Sequence, residues 1–294
     1  MLDKETYSAS SHARAHADRA DPLLARAAGF REAPGFPEAV RVFAESMANF
    51  RLHGPKLINK LLGQDVRFRI VCFTLYLHYE DAEGEVDAGA TYSRVLDLIS
   101  RTVGGGHRVV ETTLDLMSVM GLVVAERGTV DRRLKLYRPT DPLMRLLRIW
   151  LEGCFVPLDL VDPEGGRMAR LRQGDEIVRQ FMLGVGRGLR AREILTRRMP
   201  RFSCFFDRDG GWPFLAIIMA EALAGRPLPS RSEIASRFGV SKSQIAVVAT
   251  EAARLGFLQA DERGVWVTPD LMSEFERWVS INLAFFAAAT EPAI

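Results

Sequence analysis

The chain has 294 residues, 48% of them apolar, which is enough to bury two hydrophobic cores. A net charge of only +2 excludes a global positive field, so any grip on nucleic acid has to come from local patches. Cys72, Cys154 and Cys204 are odd in number, far apart and without CxxC spacing, which points to a reducing cytoplasm. Apolar runs such as Ile70–Leu77 and Leu283–Ala289 are too short to span a bilayer, and the N-terminus has no apolar signal core. A cytoplasmic, nucleoid-associated protein with no membrane partner is the expectation.

Residues 1–36 are rich in Ala, Arg, His, Asp and Ser and carry only Leu23, Leu24 and Phe30 as apolar anchors, which predicts a mobile or loosely docked arm. Helical spacing starts at Glu38 through Val40, Val42, Phe43 and Met47. Val66–Tyr79 is apolar on nearly every side and predicts a buried helix. Gly84–Val86 reads as a short strand. Tyr92–Thr102 predicts a helix broken by Gly104-Gly105-Gly106, and His107–Met120 a second one stopped by Gly121. Leu122–Ala125 and Leu134–Tyr137 read as strands around a charged turn. Asp141-Pro142 then opens another helix. Pro163, Gly165, Gly166 and Gly174 predict a linker over 158–174.

The stretch Arg226–Thr268 has the same order. A short strand precedes Ser230, which can cap a helix with Glu233 as the reciprocal partner of a capping box. Gly239-Val240 closes that helix and Ser241 caps the next, whose inward face is Ile245, Val248, Ala249, Ala252 and Leu255. Gly256 ends it, and Phe257–Ala260 and Val265–Thr268 read as strands around Asp261–Gly264. The two regions also share residues in the same order. Glu38-Ala-Val-Arg41-Val-Phe43 answers Glu176-Ile-Val-Arg179-Gln-Phe181, and Met120-Gly121-Leu122 answers Leu255-Gly256-Phe257. Glu126-Arg127-Gly128 answers Glu262-Arg263-Gly264, and Leu143-Met144 with Trp150 answers Leu271-Met272 with Trp278. The predicted fold is mainly α with small β-wings: two tandem winged helix-turn-helix domains from an internal duplication, 37–157 and 175–294, the second ending in a long terminal helix.

With its capped helices, Gly-Val-Ser turn and Leu255-Gly256-Phe257 ending, Arg226–Thr268 resembles the DNA-binding domain of the GntR family of transcription regulators. Asp131-Arg132-Arg133, between two predicted strands, resembles the wing of the MarR family. These resemblances imply a wing arginine in the minor groove, a reading helix in the major groove and a dimer made by long terminal helices. Double-stranded DNA is then the expected partner and transcriptional regulation the expected function. The alternatives are a winged-helix scaffold for protein partners and a replication-initiator-like protein.

The candidate DNA-contacting residues follow from where such a fold meets the grooves. In the first unit they are His107, Arg108 and Thr112 on the helix, with Arg132, Arg133 and Lys135 on the wing. In the second they are Ser230, Arg231, Lys242, Ser243 and Gln244. Arg108 suits a guanine edge and Gln244 an adenine edge. Opposing features are present in both. Ala246 and Val247 have little to offer base edges, Glu111 and Asp115 share a face with Arg108, and Gly106 stands where the second unit has the capping Ser241. The first unit has the weaker helix-turn-helix signature but the longer and more basic wing, so the firmer grip is expected from it.

Trp150 and Trp278 read as core anchors. The helix Leu271–Ala289 has more apolar surface than one face needs and could pair across a homodimer or within the chain. The arginines of 167–201 either follow a DNA backbone or form a solvated face. Gly184-Val-Gly186-Arg-Gly188 follows no convincing strand and is a weak phosphate cradle. No His/Cys metal spacing, phosphate loop or nucleophile elbow is found, so neither an enzyme nor a cofactor is expected. A small-molecule effector would fit between the two units, near Trp150, Trp278 and the arginine-rich helices.

Overall fold

The computed structural model describes residues 21–53, 56–80, 89–102, 104–190, 199–262 and 264–291. Its first half runs α1 (Pro22–Glu32), α2 (Phe36–His53), α3 (Lys56–Leu61), α4 (Asp65–Glu80), α5 (Tyr92–Thr102), α6 (His107–Val119), β1 (Val123–Arg127), β2 (Lys135–Pro139) and α7 (Asp141–Val161). The second runs α8 (Arg167–Gln173), α9 (Glu176–Arg190), α10 (Gly211–Leu223), α11 (Arg231–Phe238), α12 (Lys242–Arg254), β3 (Leu258–Asp261), β4 (Gly264–Val267) and α13 (Pro269–Ala289). The described residues are thus mainly helical, with two antiparallel two-stranded sheets, β1–β2 and β3–β4. Thr91 adds an isolated bridge to Leu136. No strand forms over 226–230, and Gly84–Val86 lies outside the described residues.

Two expectations about loose segments are corrected. Residues 22–32, assigned to the arm, form α1. The Asp21 carboxylate accepts from the N–H groups of Leu23 (2.9 Å) and Leu24 (3.4 Å), Pro22 fits the first turn, and the helix packs on α13 with Ala27 buried. Residues 1–20 lie outside the described residues. The expected linker is also folded. Helix α7 continues through Pro157 to Val161, a 3-10 turn follows at Pro163–Gly165, and α8 begins at Arg167. Arg167 is only 3% exposed and ties this segment down. Its guanidinium donates to Asp162 Oδ2 (2.7 Å), to the Asp162 carbonyl (2.9 Å) and to Thr290 Oγ1 (3.3 Å), beyond the end of α13.

The core is one contiguous cluster crossing both halves. Helix α4 buries Ile70 through Leu77, and α10 buries Pro213 through Ala220, so each is enclosed on nearly every side. Helix α2 lies against α7 and α10, α9 against α4 and α13, and α13 against α1 and α7. Trp278 is buried, meeting Phe43 at 5.5 Å and Trp212 at 5.0 Å between ring centroids. Trp150 is half-buried against Phe68, Phe181 and Phe286. The apolar surplus of α13 is consumed within the chain, where Phe275, Val279, Ile281, Leu283 and Phe286 are all buried. That helix therefore has no free apolar face for a homodimer. On α7, Ile149, Val156 and Leu160 are exposed.

The glycine run 184–188 lies inside α9, where glycine costs about 1 kcal/mol relative to alanine. Close packing explains it. A Cβ on Gly186 would sit 1.9 Å from the Tyr76 ring, one on Gly184 would sit 2.3 Å from the Ala289 carbonyl, and one on Gly188 would sit 2.6 Å from the Phe285 ring. The run lets α9 approach α4 and α13.

Candidate nucleic-acid interface

Each half places two short helices around a tight turn and follows them with a hairpin. In the second half, Ser230 caps α11 and Ser241 caps α12. Both are closed capping boxes, with Glu233 and Gln244 as the reciprocal partners. The bonds from the Ser230 hydroxyl and N–H hold the Glu233 carboxyl below its usual range. Gly239, at φ 67°, makes the turn between the helices. In the first half α6 starts at Gly106 with no side-chain cap, and the Tyr92 hydroxyl lies 3.0 Å from His107 Nδ1.

The entry to each hairpin is built the same way. Gly121 (φ 65°) and Gly256 (φ 78°) turn the chain out of α6 and α12. The Leu122 N–H then donates to the Met117 carbonyl (2.9 Å), and the Phe257 N–H to that of Ala252 (2.8 Å). At the exit, the Thr140 hydroxyl donates to the Gly121 carbonyl (2.6 Å) and the Thr268 hydroxyl to that of Gly256 (2.7 Å).

On α6 the buried face is Val110, Thr113, Leu114 and Met117, which leaves His107, Arg108, Glu111, Thr112 and Asp115 exposed together. The Thr112 hydroxyl donates to the Arg108 carbonyl (2.7 Å), so its proton is used within the helix. The hairpin after α6 is basic. Asp131 Oδ1 accepts from the Arg133 N–H (2.9 Å) and shapes the tip, leaving the side chains of Arg132 and Arg133 exposed. The Lys135 ammonium lies over the Tyr137 ring at 5.1 Å. Arg127, not singled out in the sequence, belongs here too. It stands directly opposite Lys135 across the hairpin, and its guanidinium donates to the Arg132 carbonyl (3.2 Å). Like charges directly opposite are unfavourable in an isolated hairpin, a repulsion that a polyanion relieves. The strand register reveals the pair, because seven residues lie between the two in sequence.

The second face is different. Lys242, Ser243 and Arg231 are exposed, but the Ser230 hydroxyl is taken up as a cap. Gln244 is half-buried, and its side-chain oxygen accepts from the Ser241 N–H (2.8 Å). The two-point adenine contact expected of Gln244 needs that oxygen, so it would have to give up the capping box. Val247 is 48% exposed on the same helix, and the hairpin displays Val265 and Trp266. In the arginine-rich region Arg172 and Arg187 are exposed, but several of the other described arginines are engaged within the chain. Arg167 is buried, Arg179 pairs with Glu176 (3.6 Å), Arg170 donates to Gln180, and Arg190 reaches Tyr76 (2.7 Å) and Glu80 (3.0 Å). Arg192, Arg197 and Arg198 lie outside the described residues.

No protein-family model, no curated protein and no solved structure matches the chain. The likeness to GntR and MarR domains accordingly rests on the motifs quoted above.

Proposed function

We propose that the chain is a DNA-binding transcriptional regulator whose two winged helix-turn-helix units, related by duplication, form an intramolecular pseudo-dimer. Reciprocal packing carries this reading. In chain order α2, α4, α5, α6 and α7 correspond to α9, α10, α11, α12 and α13. Helix α2 packs on α10, and their counterparts α9 and α4 pack on each other. Helix α11 touches α2, and α5 touches α9, while α7 meets its own counterpart α13. Contacts that exchange when the halves are exchanged are what a two-fold interface requires. The matching hydrogen bonds at both hairpins support the same correspondence.

In such a unit the second helix of the turn enters the major groove while nearby cations hold phosphates. Arg108 with Arg127, Arg132, Arg133 and Lys135 equip the first unit for this. Lys242 and Ser243 offer a weaker contact from the second. Because α6 and α12 expose different residues, the operator should be asymmetric, with half-sites about 10–10.5 bp apart. Selection from random duplexes should return such a motif, and a pool with no enriched sequence would reject the reading. Arg132→Ala combined with Arg133→Ala should weaken binding and flatten its salt dependence by up to about two units of slope. An unchanged slope would remove the wing from the contact. The exposed Val247, Val265 and Trp266 favour a second reading for the second unit alone, as a protein contact. In that case Lys242→Ala leaves DNA affinity unchanged and Trp266→Ala abolishes partner capture.

A further inference from the structure

Where α2, α4 and α7 meet α9, α10 and α13, the core encloses a cavity of about 150 Å3. Its wall is largely aromatic, including Phe43, Phe68, Trp150, Trp212, Trp278 and Phe286. Two arginines stand in that wall, and each is only 5% exposed. Arg51, in the last turn of α2, donates Nη2 to the Leu62 carbonyl (3.0 Å), and its Nη1 has no partner. Arg69, on α4, donates Nε to Asp65 Oδ2 (2.7 Å), and its Nη1 is unpartnered too.

Asp65 is the one carboxylate in the wall, and it is committed to Arg69. Among the described residues Arg51 is therefore a buried cation without a counter-ion, an arrangement that a fold tolerates at a cost. Burial pushes its guanidinium down to about 9, so it still carries its charge at neutral pH. The wall thus presents two cations and one anion around an apolar space. A cavity of this volume accommodates a body the size of benzene. Gln64, Asp65 and Phe68, at the start of α4, are half-exposed and leave a way in.

We propose that this cavity binds a small organic monocarboxylate with a ring-sized apolar body. The carboxylate meets the unpartnered guanidinium nitrogens of Arg51 and Arg69, and the body lies among the tryptophans. One negative charge balances the wall, whereas a phosphate dianion would overcompensate it and a sugar would leave hydroxyls against aromatic rings. The site is independent of the DNA reading, since none of its residues belongs to α6, α12 or either hairpin.

Three of the four tryptophans line the cavity, so binding can be followed by intrinsic fluorescence in the full chain. Benzoate or phenylacetate should change the emission saturably in the millimolar range or below, while benzamide and phenylacetamide should not. Arg51→Met should weaken binding of the acid at least about tenfold, whereas Arg132→Ala on the wing should leave it unchanged. Comparing acid with amide on the unmodified chain decides the matter even if Arg51→Met fails to fold. The proposal is overturned if acids and amides act alike, if neither acid saturates, or if folded Arg51→Met binds benzoate like the unmodified chain.

Discussion

Gly105 and Gly106 are neighbours with opposite consequences for substitution. A Cβ on Gly106 meets nothing within 4 Å, and the backbone there (φ −98°, ψ 175°) suits a helix cap. Gly106→Ser should supply the side-chain cap that α6 lacks and raise stability by a few tenths of a kcal/mol, about the difference between glycine and serine caps. A Cβ on Gly105 would lie 2.5 Å from Ile99 Cγ2 and 3.1 Å from Val66 Cγ2. Gly105→Ala should therefore lower stability by about 1–3 kcal/mol. Urea titration of both variants checks the pair, and equal effects would contradict the geometry. The capping boxes of Ser230 and Ser241 were legible in sequence because a box is a relation between residues three apart. The cost of the second box was not legible. Gln244 looked available to a base, yet its side-chain oxygen is part of the cap.

At the scale of elements, the helices and hairpins around both turns fall close to where periodicity and turn residues put them, since buried faces at three- and four-residue spacing are local information. What the elements touch is not local. The run Gly184–Gly188 lies inside a packed helix, not in a loop. Its meaning lies in Tyr76, Phe285 and Ala289, which are remote in sequence. Gly186→Ala should gain helix propensity and still destabilise by about 1–3 kcal/mol, because the new methyl would overlap the Tyr76 ring. A denaturant midpoint shifted upward would refute the packing account. The α13 surface taught the same lesson, since α1, α7 and α9 use the apolar residues that could have served a homodimer.

For the whole molecule, the shared core predicts joint unfolding of the two halves. Calorimetry should show one transition, since neither half can expose its side of the cluster without opening the other. Two resolved transitions would mean that the halves are energetically separate. Arg167→Ala should cost about 1–3 kcal/mol, because it takes the donor away from the Thr290 hydroxyl, the Asp162 carbonyl and the partly buried Asp162 carboxylate, and equilibrium unfolding would measure it. The sequence by itself determined the order of elements, the capped helices, the hairpin positions and the basic stretch at 131–135, because each depends on residues a few positions apart. Only the tertiary structure decided that 22–32 and 158–174 are packed, that α2 seats on α10 as α9 seats on α4, and that Arg51 and Arg69 share an aromatic cavity. Those outcomes depend on side chains brought together from both halves, and no local spacing encodes which surfaces will meet.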